Sequence, residues 1–142
     1  MKKYLLFIFL FFSLTVHANT DVSGTISSNS NWSPTNGAYL IHGNVIVPTD
    51  VTLTLEPGTI LKFQIGGGGV LTINGSLVAK GTSENKIYFT SLNDDSLGGD
   101  TNSDATSTSP TAKDWQGIYF NQESSGDLDY VSVQYGGSGG SG

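Results

Sequence analysis

The sequence predicts an all-β solenoid of about four coils, and three observations carry that expectation. Short apolar runs of about five residues follow one another from Val51 to Ser91, each closed by Gly, Pro or Asn. Val51, Val70 and Ile87 open equivalent runs, and a register recurring about every 20 residues with no intervening helix is the mark of stacked coils. No stretch after residue 18 carries a convincing 3.6-residue apolar period, so helix is expected to be scarce. The 19 glycines and the many Ser, Thr and Asn suit a turn-dense β-protein.

The chain opens with a segment that does not belong to this pattern. Lys2 and Lys3 precede an apolar run from Leu5 to Val16, and Val16-His17-Ala18 has the small-residue ending of a cleavage site. Residues 1–18 therefore read as a signal peptide, the run being short for a membrane span, and the mature chain is expected to be secreted or displayed at the cell surface with no membrane span of its own. There is no cysteine, so neither a disulfide framework nor a lipid-modified cysteine is available.

Residues 19–38 are polar, with Val22, Ile26 and Trp32 as isolated apolar positions, and are expected to form a lid over the first coil. Residues 39–135 hold the coils. Tyr39 to Ile41 and Val45 to Val47 form the first pair of runs around a corner at His42-Gly43-Asn44. The later runs sort into two series: residues 51–55, 70–73, 87–90 and 130–135, and residues 59–63, 76–80 and 117–120. In each run alternate residues share a face, which gives Val51, Leu53 and Leu55, then Leu61 and Phe63, Leu71 and Ile73, Leu77 and Ala79, Ile87 and Phe89, Ile118 and Phe120, and Val131, Val133 and Tyr135 as the core. Burying each such side chain contributes roughly 1.5–3 kcal/mol. An antiparallel β-sandwich also uses short strands and frequent turns, but it gives no reason for a repeated register.

One interval is too long. Residues 92–114 add about 25 residues with almost no apolar side chains, and they read as a loop inserted into an otherwise regular coil. Residues 136–142, Gly-Gly-Ser-Gly-Gly-Ser-Gly, have the composition of a linker or of a shortened coil. So few coils leave an apolar end uncovered, and the solenoid is expected to be incomplete at its C-terminus.

Several phrases carry a resemblance: Gly43-Asn44-Val45, Val51 through Leu55, Glu56-Pro57-Gly58, Leu61-Lys62-Phe63, Leu71 through Leu77, and Ile87-Tyr88-Phe89-Thr90-Ser91. Asp94-Asp95-Ser96 to Asp104 and Asp114-Trp115-Gln116-Gly117-Ile118 continue it. The chain resembles the secreted and cell-surface right-handed parallel β-helix repeat proteins of the pectate-lyase-like type. The resemblance implies the fold over nearly the whole mature chain. It leaves activity open, because such helices serve adhesins and carbohydrate enzymes alike.

Charge narrows the partners. Beyond residue 18 four lysines stand against twelve acidic residues, and there is no arginine anywhere, so the net charge lies near −8. Such a surface repels phosphate backbones, which excludes nucleic acid. It also disfavours anionic polysaccharide unless a cation bridges.

The concentrated polar chemistry is in the insertion. Asp100, Asn102 and Asp104 offer oxygens at alternate positions, as in the first half of a calcium loop, and Asp94, Asp95 and Asp114 are available to complete a shell. Calcium is therefore the candidate cofactor. The loop departs from the usual pattern at its sixth position, Ala105 in place of Gly, and at its twelfth, Thr111 in place of Glu. Catalysis has less support. The resemblance implies an arginine base for the lyases, and this chain has none. Adjacent Asp94 and Asp95 do not make a hydrolase pair on a strand, and His42 stands alone beside a turn. No catalytic residue is assigned.

Trp115, Tyr119 and Tyr130 are the candidate glycan contacts, Trp115 being equally suited to anchor the loop's return. The reading is a non-catalytic N-terminal segment of an exported β-helix protein, a scaffold or adhesin-like module that presents loops to a glycan or cell-surface partner. The competing reading is the N-terminal fragment of a polysaccharide-degrading β-helix enzyme with its active site beyond residue 142.

Overall fold

A computed structural model describes residues 18–138. Residues 1–17 of the signal-peptide reading (1–18) and the end of the Gly/Ser tail, residues 139–142, lie outside the described residues. Eleven strands run through the described chain: β1 (Thr20–Thr25), β2 (Ser30–Trp32), β3 (Tyr39–Val47), β4 (Thr52–Leu55), β5 (Ile60–Phe63), β6 (Val70–Ile73), β7 (Ser76–Lys80), β8 (Ile87–Ser91), β9 (Gly117–Phe120), β10 (Ser125–Asp129) and β11 (Val131–Val133). One short 3-10 turn, Pro34–Asn36, is capped by the Ser33 side chain. Every strand pairing is parallel, which removes the antiparallel sandwich.

The strands wind into a parallel β-helix with three faces. The first face stacks the start of β1 and of β3 with β5, β8 and β11. The second stacks the ends of β1 and β3 with β6 and β9. The third stacks β2, β4, β7 and β10. A long strand can serve two faces because β3 turns at Gly43, whose φ of 69° is left-handed. The Gly43 N–H donates to Gln64 Oε1 at 3.1 Å, which ties that corner to the next rung.

This topology corrects the two-series alignment. Val51 to Leu55 stacks on Ser76 to Lys80, not on Val70 to Ile73. Residues 70–73 stack on 117–120, and residues 60–63 stack on 87–91, themselves followed by 131–133. The step from rung to rung is 19 residues from Thr20 to Tyr39, 22 from Tyr39 to Leu61, 24 from Leu53 to Leu77 and 28 from Leu61 to Phe89, so it varies and mostly exceeds the expected 20 or so. A third face is easily missed when one of its corners is only Asn74-Gly75. Residues 20–32 also differ from the expected lid. They form β1 and β2, which continue the register and make the first rung themselves. Trp32 is buried there, stacked on Tyr39 with ring centroids 4.5 Å apart and planes 6° from parallel.

The inward alternation holds. Columns of like residues fill the interior: Val45, Leu71 and Ile118; Val47, Ile73 and Phe120; Tyr39, Leu61, Phe89 and Val133. Leu53, Leu61, Phe63, Leu71, Ile73, Leu77, Ile87 and Phe89 are completely buried. At the last rung the same columns end in Phe120, Leu128 and Val133, which are exposed.

The insertion occupies one kind of corner. Between the first and second faces the chain turns at His42-Gly43 in one rung, through Gln64 to Gly69 in the next, and through Leu92 to Gln116 in the third. The long version folds back over the outside of the first face. It covers Leu40, Lys62 and Thr90, the outward-pointing residues of three successive rungs. Gly98 lies against Ala38 and Ile60, where a Cβ would come within 3.3 Å of the Ala38 Cβ.

Candidate metal centre

Both ends of the insertion are fastened by aspartates. Asp94 is buried and accepts hydrogen bonds from Thr90 Oγ1 at 2.6 Å, Ser96 Oγ at 2.5 Å and the Ser96 N–H at 3.2 Å. Asp114 accepts from Ser91 Oγ and Thr111 Oγ1, both at 2.6 Å, and from the Thr111 N–H at 3.0 Å. Burial works against ionisation of Asp114, but the hydrogen bonds from Ser91 and Thr111 prevail and hold its carboxyl below the usual aspartate range. These carboxylates are committed to Ser and Thr donors.

Trp115 completes the return. Its indole is fully buried, stacks on Phe63 at 4.0 Å with planes 11° apart, and donates from Nε1 to the Gln134 carbonyl at 2.8 Å. The column below it reads Ile41, Phe63 and Ser91, and Ser91 is the small residue of the three. Trp115 is therefore removed from the candidate glycan contacts, since no surface of the ring reaches solvent. Tyr119 and Tyr130 are 41% and 50% exposed, but they do not form one platform. Tyr119 points outward from the second face, whereas Tyr130 sits at the corner between the third and first faces.

The middle of the loop gathers the remaining oxygens. Asp95, Asp100 and Asp104 each bring a carboxylate oxygen into a group whose members all lie within 4.8 Å of one another. Asp100 shapes the turn by accepting the N–H groups of Asp104 at 3.2 Å and Ala105 at 3.0 Å. Those bonds hold Ser103, Ala105 and Thr106 at left-handed φ values of 60°, 53° and 75°. Residues with side chains adopt that conformation at a cost of order 1 kcal/mol each. Thus Ala105 takes the conformation that the usual glycine would take. Asn102 donates from Nδ2 to Asp104 Oδ2 at 2.9 Å, to Thr108 Oγ1 at 3.2 Å and to Asn93 Oδ1 at 3.3 Å, which fixes its amide. Asp104 also accepts from Thr108 Oγ1 and the Ser107 N–H. The Thr108 bond is the chief reason its carboxyl lies below the usual range.

Three oxygens in this loop are buried with no hydrogen-bond partner: Asp95 Oδ1, Thr101 Oγ1 and Asn102 Oδ1. A buried polar atom without a partner costs about 1–3 kcal/mol. The converging group of Asp95, Asp100 and Asp104 is all oxygen, with neither His nor Cys, and suits a hard dication such as calcium rather than zinc; the unpartnered oxygens of Thr101 and Asn102 belong to the same loop. Of the six residues expected from sequence, Asp95, Asp100 and Asp104 come together, Asn102 joins them through its amide bond to Asp104, and Asp94 and Asp114 are engaged elsewhere. The buried, unpartnered Thr101 Oγ1 was not foreseen, because a lone threonine between Asp100 and Asn102 has no signal of its own. Beside Asp95 a cleft of about 340 Å³ runs between residues 93–96, residues 106–110 and Tyr135.

The depressed carboxyls give the loop an acid limit. A group with a lowered folded-state pKa adds stability that is present above the unfolded value, about 3.9, and is lost as pH falls through the folded value. Urea unfolding at pH 3 should therefore show a lower midpoint than at pH 7, and Asp114→Asn should shrink the difference. An identical pH dependence in the variant would mean that Asp114 has no part in it.

Parallel rungs, three stacked faces and one corner enlarged into a loop define a β-helix domain. The family model for the pectate-lyase-like β-helix domain matches residues 24–141, and the chain belongs to that family. No curated protein and no solved structure matches the chain. Among the described residues no helix is long and apolar enough to cross a membrane.

Proposed function

We propose that the chain is a non-catalytic scaffold segment of an exported β-helix protein. Its inserted loop takes up a calcium ion and is thereby held in one shape for presentation to a glycan or cell-surface partner. One observation carries the metal reading: three carboxylates converge in the same loop that leaves three buried oxygens without donors. Calcium would be held by Asp95, Asp100 and Asp104 with Asn102 and Thr101, and it would supply positive charge where the chain concentrates negative charge. Export rests on the leader-like residues 1–18. The hydroxyl-rich cleft beside Asp95 and the exposed Tyr119 and Tyr130 support the glycan partner.

Calcium should raise the melting temperature of the protein, and Asp100→Ala should abolish the rise while leaving the β-rich circular dichroism unchanged. Calorimetry that shows no heat and no shift would remove the metal from the reading. A glycan array probed with and without calcium tests the partner, and binding that requires calcium is the expected result. The family description favours a second reading, a part in polysaccharide breakdown. Release of reducing or unsaturated ends from polysaccharide by the protein that carries this domain would establish it.

A further inference from the structure

Lys62 is the one cation seated beneath the acidic loop among the described residues. It points outward from β5, yet it is completely buried, because the insertion lies over it. Its Nζ donates to the Gly99 carbonyl at 2.8 Å, one residue before Asp100. Burial lowers its pKa, and the charges of Asp95, Asp94 and Asp100, in that order, raise it against that loss. The ammonium therefore stands in the field of the carboxylates without being ion-paired to any of them.

We infer that Lys62 is the charge-setting residue of the loop: a fixed internal counter-cation that lowers the charge of the oxygen cluster and biases it toward divalent over trivalent ions. The inference rests on the calcium reading above. Asp95 carries it on two counts, as a member of the converging carboxylates and as the owner of a buried oxygen with no donor. The argument is Coulombic. A unit positive charge at a fixed distance repels a bound ion in proportion to that ion's charge. Removing it helps a trivalent ion half as much again as a divalent one. Lys62 also holds the loop through Gly99, so its removal loosens the site for every ion alike. The two effects separate in a ratio: loosening changes both affinities together, whereas charge changes the trivalent-to-divalent ratio.

Calorimetric titration of the full chain with calcium chloride and with lanthanum chloride reads that ratio directly. Lys62→Met removes the charge and keeps most of the stem. Its lanthanum-to-calcium affinity ratio should rise about three- to tenfold over the wild type. Lys62→Gln provides the same comparison should the Met variant fail to fold, as judged by circular dichroism. A ratio unchanged in a folded neutral variant overturns the charge-setting role and leaves calcium binding in place. Absence of binding by the folded wild-type protein to either ion overturns the calcium reading itself, and this inference with it.

Discussion

Replacing Trp115 with Ala should destabilise the fold by about 3–5 kcal/mol, in line with deleting a fully buried large aromatic. For a domain of this size that corresponds to a melting temperature lower by about 10–20 °C. The cost has three parts. The indole leaves a cavity against Phe63, on which it stacks at 4.0 Å. The Gln134 carbonyl loses the Nε1 donor. The close approach of Gly136, whose Cβ position lies 3.2 Å from the ring, loses its partner surface. Trp115→Phe brings out the middle part, since it keeps a smaller aromatic against Phe63 and removes the Nε1 donor. It should cost about 1–2 kcal/mol beyond the smaller ring's lost contact. Urea unfolding of the two variants measures both. A change under about 1 kcal/mol for Trp115→Ala would show that the insertion closes onto the coil without this anchor. Under the proposed calcium reading, the Ala variant should also show a smaller rise in melting temperature with calcium, because Trp115 fixes one end of the loop that bears the oxygens.

What could be read from the sequence, and what could not, divides along physical lines. Alternation is a local property of an extended chain, so the inward positions of Leu53, Leu55, Leu61, Leu71, Leu77, Ile87 and Phe89 were legible from their neighbours alone. Which strand stacks on which is not local. Val51 to Leu55 looks as much like residues 70–73 as like residues 76–80, and only the closure of the whole rung decides that β4 lies under β7. The polar segment before Tyr39 looked like a lid because β1 and β2 have few apolar residues. It forms a rung because its backbone completes the ladder of β3 and β4. In the loop, the spacing of Asp100, Asn102 and Asp104 was legible, for it is local. The division of labour between neighbours was not. Asp94 and Asp95 are adjacent, but Thr90 and Ser96 capture the first while the second joins the cluster. Asp114 is captured in the same way by Ser91 and Thr111. The burial of Lys62 could not be seen at all, since alternation places its side chain outside and only the fold of the insertion covers it.

Gly75→Ala should prove nearly as damaging as loss of Trp115, for a different reason. The corner between β6 and β7 nests inside the corner of the rung before it. Gly75 N–H donates to the Val47 carbonyl at 3.2 Å, and the Ser76 N–H to the Val51 carbonyl at 2.9 Å. A Cβ on residue 75 would fall 2.3 Å from both the Pro48 and the Val51 carbonyl oxygens. Those are backbone atoms of a hydrogen-bonded turn and cannot swing aside, so the rungs must part. Asn74, which stacks under Asn121 through a side-chain bond of 2.7 Å, would be carried with them. Inserting one methyl into a well-packed site costs typically about 1–3 kcal/mol, and backbone obstacles place this case at about 3 kcal/mol. Gly68→Ala is the matched control: the atoms nearest its Cβ would be those of the Gln64 side chain, at 3.2 Å, which can yield by a few tenths of an ångström within its bond from the Gly43 N–H. The control should cost under about 1 kcal/mol by the same urea measurement. Equal losses at the two positions would mean that glycine serves both corners through its conformational freedom, not through the close approach of successive rungs. A loss confined to Gly75 would place the fold's specificity at the corners, where the local sequence and the stacking of rungs meet.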